Sequence, residues 1–240
     1  MKQIHCFFRS IFLIIIFLLS SFPTPEHAQT GTSHFGMRRY TTKDYETRAH
    51  YFPRGATRYE VTQKTHCTDL TVAGYKVWGV GSWNPIDYVE IEKKVLYGPN
   101  PRKPLPYLYL VEIQEHNITR IKVRTEFAHI PRHQEKRNIH VRWIIATGPV
   151  FTEQTKEQSI YAILRKSRIR PWDYAARNAM FISKDGTAFA LVSHYGTVWD
   201  VIQLLHRYHK DYFYLVMFDG GSASSPHAVN PVWITVHKKK

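Results

Sequence analysis

Apolar residues in the second half of the chain occur in short runs or alternate with polar residues, a pattern typical of β-strands. The predicted strands cover residues 107–113, 118–124, 141–146, 179–183, 187–192, 212–218 and 232–236. Residues 153–170 are polar and basic, and both a helix and a loop remain open there. The pattern therefore predicts a sheet-containing domain with few helices.

Residues 179–218 form the sharpest local pattern. The dipeptide Asp185-Gly186 between two apolar runs predicts a hairpin. Thr197, with Asp200 three residues later, has the spacing of a capping box and predicts the start of a helix. Its apolar face is formed by Val198, Val201, Ile202, Leu205 and Tyr208. A strand, a helix and a strand over this length predict a βαβ unit in which strands 187–192 and 212–218 are parallel.

The first half of the chain has a weaker pattern. Residues 30–55 are polar without a sustained period and predict a loose arm, and near-alternation over 58–80 and 88–96 predicts short strands. Glycine and prolines between residues 98 and 106 mark a boundary. We therefore predict an α+β fold, a mixed β-sheet with a C-terminal βαβ unit and few helices, with an N-terminal region at 30–98 and a main domain at 99–240.

The N-terminal segment 1–29 has the layout of a secretory signal peptide. Lys2 and Arg9 precede an apolar run over residues 11–19, and a polar stretch ends near Ala28. We expect an exported protein, located in the periplasm, in the cell envelope or outside the cell. Because Glu26 stands where a small residue is preferred, an uncleaved anchor remains an alternative. Cleavage would leave Cys67 as the single cysteine, which excludes an intramolecular disulfide.

The chain is strongly basic. It has 33 Lys and Arg against 19 Asp and Glu, a formal net charge of +14. Such a field attracts phosphate-bearing polymers, acidic glycans and anionic lipid surfaces, so from charge alone a phosphorylated or anionic glycan and the envelope surface are both open as partners. A role in solubility alone is the alternative. Nucleic acid is not expected, because the basic residues are dispersed and no zinc-finger or helix-turn-helix pattern occurs.

The chemistry-bearing stretch is residues 219–225, which directly follows the apolar run 212–218. Strand ends are where open α/β sheets bind ligands, and glycines let backbone N–H groups approach an anion. An ordinary polar turn is the alternative. Arg177 precedes another predicted strand, and its guanidinium is suited to gripping a phosphate by two parallel hydrogen bonds, although a surface arginine is the alternative. The stretch consists of Asp219, Gly220, Gly221, Ser222, Ala223, Ser224 and Ser225.

This combination resembles the phosphodiester glycosidase family. The resemblance rests on Arg177-Asn178-Ala179, the Lys184-Asp185-Gly186 hairpin and the 218–225 segment, with a fainter likeness at Thr147-Gly148-Pro149-Val150. It covers about residues 100–237. It implies hydrolysis of sugar-1-phosphate diesters at the anomeric carbon. Asp219 and Arg177 would be catalytic, and the substrate would be held by Gly220, Gly221, Ser222, Ser224 and Ser225.

One family feature is missing from the expected position. Family members have an Asn-Gly-Gly-type loop before the Gly-Pro segment, and residues 125–147 contain none, while residues 79–85 resemble it only faintly. The alternative function is therefore a non-catalytic envelope protein that binds anionic glycans through the same pocket. We expect no cofactor and no metal, since His206 and His209 share a helix face without a third ligand.

Overall fold

The computed structural model of the protein describes residues 35–73, 88–98, 108–125, 138–166, 172–221, 225 and 229–240. In this part of the chain the helices are α1 (Arg58–Thr65), α2 (Glu157–Lys166) and α3 (Val198–Arg207). The strands are β1 (Phe35–Thr41), β2 (Tyr45–Thr57), β3 (Asp69–Val72), β4 (Val89–Ile91), β5 (Lys94–Tyr97), β6 (Leu108–Glu115), β7 (Ile118–Arg124), β8 (Ile139–Thr147), β9 (Val150–Thr152), β10 (Ala175–Ile182), β11 (Ala188–Gly196), β12 (Tyr214–Met217) and β13 (Val229–Lys238). The predicted signal segment lies outside the described residues.

The strands form three antiparallel sheets. Sheet A has the order β1-β11-β10-β12-β9, sheet B the order β2-β13-β3, and sheet C the order β5-β4-β8-β6-β7. One face of sheet A packs against α2 and α3, and its other face shares a core with strands of sheets B and C. None of the described helices is long and apolar enough to cross a membrane.

The predicted α+β class with a βαβ unit is wrong, because the described fold is predominantly β and every strand pairing in it is antiparallel. Strands β11 and β12 run in the same direction, but β10 lies between them and is antiparallel to both. The local pattern correctly indicated strand, helix and strand. It did not indicate that β10, the first strand of the hairpin, would lie between β11 and β12.

Two predicted local features are confirmed. The capping box at α3 is present, since the Thr197 backbone N–H donates to Asp200 Oδ2 at 2.7 Å and the Asp200 N–H donates to Thr197 Oγ1 at 3.3 Å. The hairpin between β10 and β11 turns at Gly186, whose φ of +79° favours glycine.

The predictions for the first half are wrong in two places. Residues 35–41 and 45–57 are not a loose arm but the strands β1 and β2, which pair with β11 and β13. Residues 58–65, where short strands were predicted, form the helix α1, whose start is capped by Thr57.

A buried carboxyl group lies between sheets B and C. The Thr47 hydroxyl donates to Glu112 Oε1 at 2.5 Å, while Oε2 has no hydrogen-bond partner and lies 3.6 Å from Arg142 Nη1. Burial raises the pKa of Glu112 to about 7, although Arg142 and Thr47 act in the opposite direction. The folded state therefore keeps this proton at pH values where the unfolded chain has lost it.

We predict that this carboxyl group lowers stability as the pH rises from about 4.5 to about 7. In that window the folded state binds more protons than the unfolded state, so the free energy of unfolding falls. The fall is about 3 kcal/mol, since one pKa unit corresponds to about 1.4 kcal/mol. Glu112→Gln cannot ionise and should remove this part of the pH dependence. Urea unfolding of both proteins at pH 5 and pH 8 measures the change in the free energy of unfolding.

The matched control is Glu115→Gln, which changes the same residue type at the less buried end of the same strand. It should retain the pH dependence of the unmodified protein. An equal change of stability with pH in the unmodified protein and in Glu112→Gln would contradict the prediction.

Candidate functional site

The segment after β12 remains attached to β10. The Phe218 N–H donates to the Asn178 carbonyl at 2.8 Å, and Asn178 Nδ2 donates to the Asp219 carbonyl at 2.9 Å. Because Ala179 is opposite Met217 in the ladder, continuing the register by two residues places Asp219 opposite Arg177. The two predicted catalytic residues are therefore neighbours across two strands.

Gly220 lies directly against the backbone of β10. A Cβ at this position would be 2.4 Å from the Ala176 carbonyl oxygen, so only glycine allows this approach. The Gly220 N–H donates to Asp219 Oδ1 at 2.9 Å and orients that carboxylate. Gly221 follows with a φ of +60°, a left-handed conformation that also favours glycine. The two glycines are required by the shape of the loop.

Backbone carbonyls on two sides orient the Arg177 guanidinium. Its Nη2 donates to the Asp173 carbonyl at 2.6 Å, and its Nε donates to the Gly196 carbonyl at 3.3 Å. The side chain is partly buried. A guanidinium has five N–H donors in one plane, and bonds that fix this plane preorganise it for an anion.

His194 lies opposite Arg177 on β11 and completes a row of three polar residues across the sheet. It is 7% exposed, and neither ring nitrogen has a hydrogen-bond partner among the described residues. Its Nε2 lies 3.6 Å from Asp200 Oδ2. At this distance the contact is longer than a hydrogen bond. A Cβ on Gly196 would lie 2.2 Å from this nitrogen, so glycine permits the arrangement.

Asp200 belongs to the α3 cap as well as to this cluster. Burial raises its pKa, but the two hydrogen bonds that Thr197 donates to it, together with the proximity of His194, outweigh burial, so the pKa lies below its ordinary value. The carboxylate is therefore ionised over the physiological range. It places a fixed negative charge beside the buried imidazole.

The structure brings together Arg177, Asp219 and Gly220, and Gly221 follows in the same loop. Ser225 is described and partly buried, whereas Ser222 and Ser224 lie outside the described residues. No three His, Cys, Asp or Glu side chains in the described ranges are grouped so that they could hold a metal ion.

Sequence reasoning missed His194 as a site residue. The predicted strands ended at residues 179 and 192, and extending the Asp185-Gly186 hairpin by two pairs beyond them would have placed His194 opposite Arg177. The signal was thus the register of a hairpin that the sequence had already indicated.

The fold is similar to solved structures of low sequence identity. One is the catalytic domain of zebrafish N-acetylglucosamine-1-phosphodiester alpha-N-acetylglucosaminidase, auto-inhibited by its pro-peptide, with a TM-score of 0.59 and 11% identity over 89% of this chain and 86% of that chain. Another is a hypothetical protein from Synechocystis, with a TM-score of 0.53 and 11% identity over 85% of this chain and 59% of that chain. No protein-family model matches the chain, and no curated protein matches its sequence. The phosphodiester-glycosidase resemblance is therefore confirmed at the level of the fold.

We predict that Gly220→Ala disturbs the site, because its Cβ would collide with the Ala176 carbonyl and push the Asp219 loop off β10. Overpacking of this kind costs about 1–3 kcal/mol. The thermal midpoint should fall, as measured by differential scanning calorimetry. Gly98→Ala is the control, since a Cβ there meets nothing within 4 Å. An unchanged midpoint in Gly220→Ala would contradict the prediction.

Proposed function

We propose that this protein binds a phosphorylated or anionic glycan at the Arg177–Asp219 site and hydrolyses sugar-1-phosphate diesters at the anomeric carbon. The observation that carries the proposal is that an oriented guanidinium and an oriented carboxylate belong to residues that lie opposite each other on neighbouring chain segments. The similarity in fold to a phosphodiester glycosidase supports it. The net charge of +14 suits an anionic substrate.

Arg177 would act on the phosphate. In this reaction the bond between the anomeric carbon and the phosphate oxygen breaks, and its electron pair stays on the departing phosphate. The departing group is a phosphate monoester, which is a good leaving group, so stabilising its charge matters more than protonating it. A guanidinium oriented by the Asp173 and Gly196 carbonyls provides such stabilisation without reorganising during the reaction.

Asp219 would act on the sugar side. As a general base it would remove a proton from the water that attacks the anomeric carbon. Alternatively, its charge would stabilise the positive charge that develops on the sugar ring. Its Oδ1 accepts the Gly220 N–H, so the carboxylate has a defined orientation for either role.

A binding protein without turnover is the second candidate. Residues 125–147 lack the Asn-Gly-Gly-type loop of the family, and residues 139–147 of this range form β8. A site with some of its groups still binds, whereas chemistry requires the reacting groups to be held within fractions of an ångström. In this version the protein holds an anionic envelope glycan in the same pocket.

The cellular setting completes the proposal. We place the protein outside the cytoplasm, because a basic start and an apolar run at residues 1–29 have the layout of a signal peptide. A contact with the anionic envelope surface would bring the protein to its glycan.

We predict that Arg177→Lys weakens the binding of a sugar 1-phosphate by about tenfold or more. Lysine keeps the charge but loses the planar fork that makes two parallel hydrogen bonds. Titration calorimetry on folded protein measures the effect. Lys184→Arg, the reverse exchange in the exposed β10–β11 turn, is the control and should leave the affinity unchanged. Equal affinity of Arg177→Lys and the unmodified protein would show that Arg177 is not the phosphate clamp.

We predict that Asp219→Asn lowers turnover of a sugar-1-phosphate diester by about 100-fold or more, since one acid–base group contributes about 10²–10⁴ in rate. The change keeps the volume and removes the charge, so thermal stability should remain close to that of the unmodified protein. Release of free sugar from a panel of such diesters measures turnover.

Three outcomes of this assay are distinct. Loss of turnover with retained binding supports the enzyme. Binding without sugar release in the unmodified protein supports the second candidate. Hydrolysis that survives Asp219→Asn would contradict both, because the chemistry would then lie elsewhere in the chain.

A further inference from the structure

Three aromatic rings form a partly exposed cluster beside α2 and α3. The Trp199 ring lies 5.1 Å from that of Tyr161 and 5.7 Å from that of Trp172, and Tyr161 and Trp172 are 6.4 Å apart. Trp172 is 54% exposed and Tyr161 is 41% exposed. Large aromatic rings exposed together to water are unusual unless they contact a ligand or a partner.

The cluster is joined to the candidate site through the backbone. Arg177 Nη2 donates a hydrogen bond to the carbonyl of Asp173, the residue directly after Trp172. Arg177 Nε donates a hydrogen bond to the carbonyl of Gly196, three residues before Trp199. The same two chain segments therefore hold the guanidinium and present two of the aromatic rings.

From this juxtaposition we infer that the cluster of Tyr161, Trp172 and Trp199 is a sugar-stacking subsite beside the Arg177 phosphate position. The inference rests on the proposed function, in which Arg177 holds the phosphate of a sugar 1-phosphate. The sugar ring is attached to that phosphate and needs a surface of its own. An aromatic face packs against the apolar C–H face of a pyranose ring, while the hydroxyl groups at the rim of the sugar remain hydrated or bonded.

A hydroxyl-bearing ligand fits this surface better than an apolar protein segment does. The indole Nε1 of Trp199 is buried, and no described residue accepts a hydrogen bond from it. A buried unpaired donor costs about 1–3 kcal/mol, and a shift of the ring that let an acceptor oxygen reach it would remove this cost. Sugar hydroxyls provide such oxygens, whereas aliphatic side chains do not. Among the described residues the cluster contains three rings, which is small for a stable protein interface.

The test separates the contribution of the sugar from that of the phosphate by using three classes of probe on the full chain. Calorimetry would measure the affinity for inorganic phosphate, for glucose 1-phosphate and N-acetylglucosamine 1-phosphate, and for the neutral methyl glycosides of the same two sugars. The variants are Trp172→Ala, Trp172→Phe and, as the matched control, Tyr174→Ala. Tyr174 is 50% exposed and forms none of the ring contacts within the cluster.

We expect Trp172→Ala to weaken sugar 1-phosphate binding about tenfold and to leave inorganic phosphate binding unchanged. Trp172→Phe should retain most of the sugar affinity, because it keeps an aromatic face. Tyr174→Ala should bind all probes like the unmodified protein. Thermal unfolding of each variant confirms that the protein measured is folded.

Two results would overturn the inference. If Trp172→Ala lost equal affinity for inorganic phosphate and for the sugar 1-phosphates, Trp172 would only support the Asp173 carbonyl and hence Arg177. No loss for either probe would mean that the rings do not contact the ligand. If the unmodified protein binds no phosphate probe, the proposed function fails separately. The cluster is then judged by the methyl glycosides: binding that Trp172→Ala abolishes supports a sugar subsite, and no binding overturns it.

Discussion

The antiparallel pairing of β10 with both β11 and β12 is the constraint on which the site depends. It sets Arg177 opposite His194 on one side, and its continued register sets Arg177 opposite Asp219 on the other. His194, Arg177 and Asp219, which are far apart in the chain, thereby lie side by side across the sheet. The Asn178 amide extends this pairing beyond the end of β12 by holding the Asp219 carbonyl.

Burial explains why the candidate site lies at one end of β10. Residues 179–182 are fully buried, because α2 and α3 cover one face of sheet A and sheets B and C cover the other. A charged group there would lose its hydration without compensation. Residues 175–178 are only partly buried, so a guanidinium is tolerated at Arg177 and is held by carbonyl groups. The site begins where the double-sided core ends.

The sequence predicted the parts that depend on neighbouring residues. The apolar runs, the turn at Gly186 and the Thr197 cap each follow from local backbone and side-chain chemistry, and each is observed. The order of strands was not predictable in this way, because an apolar run buried on both faces does not specify which strand lies beside it. The class was therefore predicted wrongly while most elements in the second half of the chain were right. β1 and β2 were missed because polar, charged residues alternate irregularly along them.

Asp200 and Asp219, two of the acidic residues near Arg177, have different surroundings. Asp200 accepts hydrogen bonds from the Thr197 N–H and hydroxyl through Oδ2, and the same oxygen faces His194 at 3.6 Å. Using it as a base would weaken the start of α3, since the protonated form is a poorer acceptor for the cap. Asp219 instead follows the end of β12, and its side chain accepts a hydrogen bond from the adjacent Gly220 N–H. Proton transfer at Asp219 thus leaves the α3 cap intact, which is why the proposed chemistry belongs to Asp219, while Asp200 supports the helix and sets the charge around His194.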